Sequence, residues 1–169
     1  MPATYKPIAT QTLGSNAASV TFSSIPATYT DLVLITQSAS TGVSENIGLQ
    51  FNADTGNNYS YTEVSGNGST AASTRQANFS RANLTDRIGT SVDLGECDII
   101  SNIMNYANTT TFKTLISRAN TVDTIFPGAN ATVGLWRNTV AITSITVMQS
   151  GSVNFKTGST FTLYGIKAA

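Results

Sequence analysis

The amino-acid sequence predicts an all-β protein, folded as a single antiparallel two-sheet sandwich of which a jelly roll is one variant. Short segments rich in β-branched and aromatic residues alternate apolar and polar side chains, as half-buried strands do. Clusters of Gly, Asn, Ser and Pro separate these segments at short intervals. No long amphipathic helix is evident to cross between parallel strands, so antiparallel connections are favoured.

Nine strands are predicted along the chain. The alternation is clearest in Ser19–Ser23, Gly48–Asn52 and Thr160–Tyr164. The other six are Asp31–Gln37, Tyr59–Val64, Asp98–Asn105, Phe112–Arg118, Ala131–Trp136 and Ile142–Met148. Apolar side chains at inward positions of these strands are expected to form the core, namely Phe22, Leu34, Phe51, Leu135, Val147 and Leu163.

The segments between the strands are predicted as turns and loops. Turn chemistry is expected at residues 54–58, 66–69, 127–130 and 150–152, because Gly and Asn tolerate a positive φ. Residues 70–93 show weak periodicity and predict a long surface excursion with at most a short helical turn. Pro2 and Pro7 favour extended backbone, so residues 1–13 are predicted to form an N-terminal arm and residues 14–169 the sandwich domain.

Composition and charge exclude several classes of function. Of 169 residues, 40% are hydrophobic and 11% are charged, while 27 Thr, 19 Ser and 15 Asn supply most of the polarity. Nine basic and nine acidic residues cancel, so neither nucleic acid nor an anionic membrane is an expected partner. No apolar stretch approaches the length of a membrane span, and the N-terminal residues lack a signal-peptide pattern, which predicts synthesis in a cytoplasm.

The absence of histidine is the strongest functional observation in the sequence. It excludes Ser-His-Asp and Cys-His nucleophilic systems, and it excludes histidine-ligated zinc and iron sites. The four lysines are scattered and form no Ser-x-x-Lys pattern. We therefore predict a protein that is not an enzyme, with no catalytic residue, no cofactor and no metal site. Cys97, the single cysteine, is predicted to be a small buried hydrophobe in a strand.

Three weaker patterns could indicate functional sites, but a structural role is favoured for each. Glu96 and Asp98 share one strand face, as a carboxylate pair would, but a solvated face is favoured. Residues 52–58 place oxygen ligands at alternate positions like a calcium loop, yet lack the terminal glutamate, so a polar turn is favoured. Aromatic residues in or beside strands are predicted to be core rather than a sugar-stacking platform, namely Phe22, Phe51, Trp136, Phe155 and Phe161.

A set of short motifs at both ends of the chain is informative when taken in order. The chain opens with YKPIATQTLG at 5–14, VTFSSIP at 20–26 and YTDL at 29–32. It later carries LQFNADTGNNYSY at 49–61 and closes with FTLYGI at 161–166. This set resembles small virion proteins of tailed bacteriophages, and the resemblance covers the first third and the extreme end of the chain.

The resemblance implies a virion structural protein. On this basis the chain is expected to be a decoration (cement) protein on the outer capsid surface, with the major capsid protein as partner and a homo-oligomer, a trimer being favoured. The alternative is a tail-fibre or receptor-binding module that recognises a host surface ligand. That module would need exposed loop aromatics, for which the candidates are Tyr29, Tyr59, Tyr61 and Tyr106.

The N-terminal arm is the predicted interface segment. Tyr5, Pro7 and Ile8 are expected to contact a neighbouring subunit or the shell, with an edge strand inside the same chain as the alternative. Residues 70–93 are the segment in which a specific attachment site could reside.

Overall fold

The structure is a computed structural model that describes residues 4–42, 46–86, 97–121 and 128–167, and within these residues it contains strands and no helix. Twelve strands follow in chain order. They are β1 (Tyr5–Thr12), β2 (Ser19–Phe22), β3 (Asp31–Ser38), β4 (Asn46–Phe51), β5 (Tyr59–Gly66), β6 (Ala71–Phe79), β7 (Ala82–Asp86), β8 (Cys97–Met104), β9 (Lys113–Thr121), β10 (Gly128–Trp136), β11 (Ile145–Gln149) and β12 (Thr160–Ile166). No helix in this part of the chain could span a membrane.

The strands form two antiparallel sheets. The larger has eight strands in the order β1-β12-β3-β8-β9-β10-β5-β6, and the smaller has four in the order β2-β11-β4-β7. The two sheets pack as a sandwich, which confirms the predicted fold class. The jelly-roll variant is not confirmed and stays a prediction. A jelly roll has eight strands, whereas these two sheets together have twelve.

The core lies between the two sheets and is built from one face of each strand. Five of the six predicted core residues, Phe22, Leu34, Phe51, Val147 and Leu163, are at most 3% exposed. A fully buried side chain of this size stabilises the fold by about 1.5–3 kcal/mol. The five aromatic residues expected to be core rather than a sugar platform are also buried, which confirms that prediction.

Leu135, the sixth predicted core residue, lies on the outer face of the large sheet, so its assignment to the core was wrong. In β10 the side chains that point inward are Thr132 and Trp136, with Gly134 between them. A Cβ at Gly134 would lie 3.0 Å from Leu115 Cγ, so the glycine makes room for the leucine of β9. Successive side chains of a strand point to opposite faces, so an error of one residue in the assignment moves a side chain from the core to the outer face.

The described part of the predicted surface excursion at 70–93 instead contains β6 and β7, so that prediction was wrong. Strand β6 is polar and exposed along nearly its whole length, and its strand geometry comes from pairing with β5. In β7 the consecutive residues 82–85 are all buried, so this strand lacks the alternation of buried and exposed residues by which strands are predicted. Residues 87–93 lie outside the described residues.

The predicted N-terminal arm is extended, and residues 5–12 form β1 at one edge of the large sheet. It pairs antiparallel with β12, with a bulge at Ile8. The predicted turn at 127–130 is corrected in part, because β10 begins at Gly128; Pro127 lies outside the described residues.

Candidate interaction surface

Side chains that could take part in catalysis or metal binding make structural contacts instead. Among the residues that the structure describes, no cluster of three or more His, Cys, Asp or Glu side chains could hold a metal ion. Lys113 is fully buried, and its Nζ donates hydrogen bonds to the Thr111 and Thr139 carbonyls at 2.8 and 3.0 Å. Burial lowers the pKa of Lys113. Its two hydrogen bonds link the segment before β9 to the loop after β10.

Asp54, in the loop considered as a calcium site, is held by donors from its own chain. Its Oδ2 accepts from Trp136 Nε1 at 2.7 Å and from Asn58 Nδ2 at 2.9 Å, and its Oδ1 accepts from the Gly56 N–H at 2.8 Å. Partial burial by itself raises the pKa of Asp54, but these three hydrogen bonds outweigh it and hold the pKa below its ordinary value. The loop is a polar turn fastened to the core.

Of the carboxylate pair that the sequence suggests, the structure describes only Asp98, near the start of β8. Asp98 is exposed on the outer face of the large sheet, whereas Glu96 lies outside the described residues. Beside it, Cys97 is fully buried as predicted. Burial, with a smaller effect of the nearby Asp98, raises the pKa of the thiol to about 12. The neutral thiol is a packing group.

The outer face of the large sheet carries an apolar band across four neighbouring strands. The register places Ile35 of β3 opposite Ile100 of β8, and Ile116 of β9 opposite Val133 of β10. The exposed fractions are 38% for Ile35, 45% for Ile116 and 55% for Val133. We call Val33, Ile35, Ile100, Ile116 and Val133 the outer band; three strand spacings give it a width of about 15 Å.

The composition of these strands differs from that of a sheet with one face in water. Such a sheet alternates apolar and polar side chains, whereas β3 has Leu32, Val33, Leu34 and Ile35 in succession. Strands that are apolar on both faces are typical of sheets covered on both sides. The outer band therefore has the character of a protein interface.

A shallow cavity of about 430 Å³ lies on the outer band. Its lining includes Val33, Ile35, Ile100 and Ile116 together with the polar side chains of Asn102 and Arg118. A second cavity of about 620 Å³ lies beside Val133, towards β5 and β6. Both hollows are on one face, so a partner surface with protruding side chains would fit it.

The structure brings two of the three predicted interface residues to this face. Tyr5 is 57% exposed and lines the cavity on the outer band, with its ring against Tyr164 at a centroid distance of 6.3 Å. Pro7 is exposed and pairs with Tyr164 across β1 and β12. Ile8, at the bulge, packs against the core instead. Contact of Tyr5, Pro7 and Ile8 with another subunit stays a prediction.

The four tyrosines that a receptor-binding module would need are not exposed loop aromatics. Tyr59, Tyr61 and Tyr106 are buried. Tyr29 is half-buried, and its ring lies so close to Gly165 that a Cβ there would be 2.3 Å from Tyr29 Cγ. Tyr106 donates its hydroxyl hydrogen to the Pro26 carbonyl. Tyr59 and Tyr106 belong to the core, Tyr29 packs against it, and Tyr61 contacts the ring of Phe79.

Sequence reasoning missed the outer band, although a signal for it existed. The successive apolar residues of β3 and the pair Ile99-Ile100 of β8 cannot all point into one core, because side chains alternate. A scan against protein-family models and a search of curated proteins find no match to this chain.

Proposed function

We propose that this chain is a virion structural protein without catalytic activity, a decoration protein that binds the outside of a tailed-phage capsid. The observation that carries the binding role is the outer band on the large sheet. The motifs that resemble phage virion proteins support the choice of partner, the major capsid protein. In this proposal the protein acts through binding energy, since many copies across subunit joints would oppose pressure from the packaged DNA.

The geometry suits attachment through the large sheet. The outer band is about 15 Å wide, Arg118 and Asn102 lie in register with its isoleucines, and the edge strand β1 adds Tyr5 beside it. Apolar area at the centre of an interface, with polar side chains around it, is typical of stable protein contacts. The Thr residues of β12 and β1 provide such a polar rim.

The first test removes apolar surface from the band without disturbing the core. The double variant Ile116→Thr with Val133→Thr keeps β-branched side chains, so it should fold with nearly unchanged stability. We expect it to bind shells lacking the protein about tenfold or more weakly, since buried methyl and methylene groups are lost from the contact. The control is Val140→Thr, which alters a side chain that is 50% exposed in the loop after β10 and outside the outer band.

The second measurement is the copy number in purified virions. A decoration protein should be present on the order of hundreds of copies, since a symmetric shell repeats its attachment position many times. A few to a few tens of copies would instead support the tail-fibre or receptor-binding module, and absence from the virion would overturn both. Equal shell binding by the double variant and the control would remove the outer band from the mechanism.

A further inference from the structure

Within the residues that the structure describes, the sandwich has four edge strands, and three of them are poorly suited to further strand pairing. At the edges are β1 and β6 in the large sheet and β2 and β7 in the small one. Strand β1 has Lys6, Pro7 and a bulge, β2 has only four residues, and β7 has five residues and an irregular register against β4. Short length, proline, lysine and bulges are the means by which natural sheets protect their edges.

Strand β6 has such an irregularity only near its end, where the register against β5 shifts around Asn78, and residues 71–76 pair regularly. It is nine residues long, contains neither Pro nor Lys, and has one charged residue, Arg75. Within the part of the chain that the structure describes, it pairs only with β5, and both of its faces are exposed from Ala71 to Asn78. A long, exposed edge of this kind is a template for another strand.

The hydrogen bonds around β5 show which groups of β6 face outward. The Arg137 N–H donates to the Asn58 carbonyl, and the Asn67 N–H donates to the Thr70 carbonyl. In an antiparallel ladder the bonding direction alternates along each strand, so even-numbered residues of β5 bond β10 and odd-numbered ones bond β6. The register then directs the N–H and C=O groups of Ala71, Ser73 and Arg75 to the free edge.

We propose that this edge pairs with β6 of a second copy of the chain, antiparallel, about a two-fold axis beside Ser73. Ser73 then faces its own copy and Arg75 faces Ala71 of the other chain, so no like charges are opposed. Pairing of β6 with β1 of another copy, which could build rings or filaments, is disfavoured by Pro7 and the bulge beside it.

The pairing has a consequence for binding that goes beyond the proposed function and does not depend on it. A two-fold axis perpendicular to the sheet leaves both outer faces on the same side, so the dimer presents two outer bands to one surface. With the axis beside Ser73, residues 71–75 of the two β6 strands overlap, over a length of about 17 Å. This contact covers less than the roughly 800 Å² per partner of a standard interface, so we expect a weak dimer that depends on concentration.

The test is sedimentation of the purified full chain over a concentration series, without shells. We expect a monomer–dimer equilibrium that Ser73→Pro abolishes and Ser73→Ala preserves, because only proline removes the N–H at the free edge. Circular dichroism and thermal melting show whether Ser73→Pro has folded. A chain that stays monomeric at every concentration overturns the proposal, and so does equal dimerisation of a folded Ser73→Pro variant.

A cross-linking experiment keeps the proposal testable if the proline variant does not fold. Ser73→Cys would place two thiols across the axis with Cα atoms about 5.5 Å apart, within the range that a disulfide bridges. Mild oxidation should give a covalent dimer. The control is Thr12→Cys on the opposite edge of the same sheet, which should stay monomeric. Equal cross-linking of both variants, or none with Ser73→Cys, overturns the two-fold pairing.

Discussion

At the scale of single residues, Asp54 joins the β4–β5 turn to the core. Its carboxylate accepts three hydrogen bonds, one of them from Trp136, which is distant in sequence and packs on Phe51 and Tyr59 with ring centroids 5.3 and 6.2 Å apart. The turn chemistry around Asp54 was predictable from its Gly and Asn neighbours. The bond to Trp136 was not, because it depends on the register that brings β10 beside β5.

The depressed pKa of Asp54 makes stability depend on pH. A carboxyl group whose pKa is lower in the folded chain stabilises the fold above its unfolded pKa, 3.8 here, and that contribution is lost as the pH falls through the folded pKa. Asp54→Asn should therefore be less stable than the parent by about 1.5 kcal/mol at neutral pH.

This difference should shrink as the solution is acidified below the unfolded pKa of Asp54. Urea unfolding at a series of pH values measures it, and Asp98→Asn is the control because that carboxylate is exposed on the outer face. A stability difference between parent and Asp54→Asn that is independent of pH would show that the carboxylate charge does not contribute.

At the scale of strands, each of the nine strands predicted from the sequence overlaps a strand of the structure. Strand prediction failed where pairing with a neighbouring strand, and not the apolar pattern, determines the conformation. Strand β6 has no apolar alternation, and β7 is buried on successive residues, so neither produced a strand signal. In β10 both Leu135 and its neighbour Trp136 were predicted to be core, although adjacent strand residues point to opposite faces, and Trp136 is the buried one. A glycine that accommodates Leu115 cannot be identified without the neighbouring strand.

A buried polar cluster around Glu63 could not be predicted from the sequence either. Glu63 of β5 is 2% exposed, and its Oε2 accepts from Asn83 Nδ2 at 3.2 Å and from Thr132 Oγ1 at 3.1 Å. Three strands from two sheets supply these groups. The sequence shows each residue, but only the packing of β7 against β5 and β10 brings them together.

The two leucines on β7 and β10 provide a matched test of the strand assignments. Leu84 is fully buried, so Leu84→Ala should lower the free energy of unfolding by about 2–5 kcal/mol. Leu135 is half-exposed on the outer face, and Leu135→Ala should cost about 1 kcal/mol or less, since little cavity forms. Chemical denaturation of both variants gives the comparison; equal costs would mean that one of the two faces is misassigned.

At the scale of the whole molecule, the small sheet covers only the inner face of the large sheet, and the other face carries the outer band among polar side chains. The inner face forms the core with the four strands of the small sheet. The outer face keeps Ile35, Ile116 and Val133 exposed, although a polar residue at each position would suit a strand in water equally well. We infer that this sheet is built to be covered by a partner.

The charge distribution predicts how such an attachment responds to salt. The chain has zero net charge, and the outer face of the strands bearing the outer band carries few charged side chains, Asp98 and Arg118 among them. Apolar contact and hydrogen bonds are therefore expected to hold the protein on the shell. Raising NaCl from about 0.1 M to about 1 M shortens the screening length from about 10 Å to about 3 Å, yet it should weaken binding less than about threefold.

Arg118→Gln is the matched control for the salt experiment, because it removes the cation that lies opposite Ile100 of the outer band. If apolar contact dominates, this variant and the parent should bind shells with the same weak dependence on salt, measured by co-sedimentation. An electrostatic attachment through Arg118 would instead give the parent a steep salt dependence that the variant lacks. Complete release of folded protein at moderate salt would contradict attachment through the apolar face.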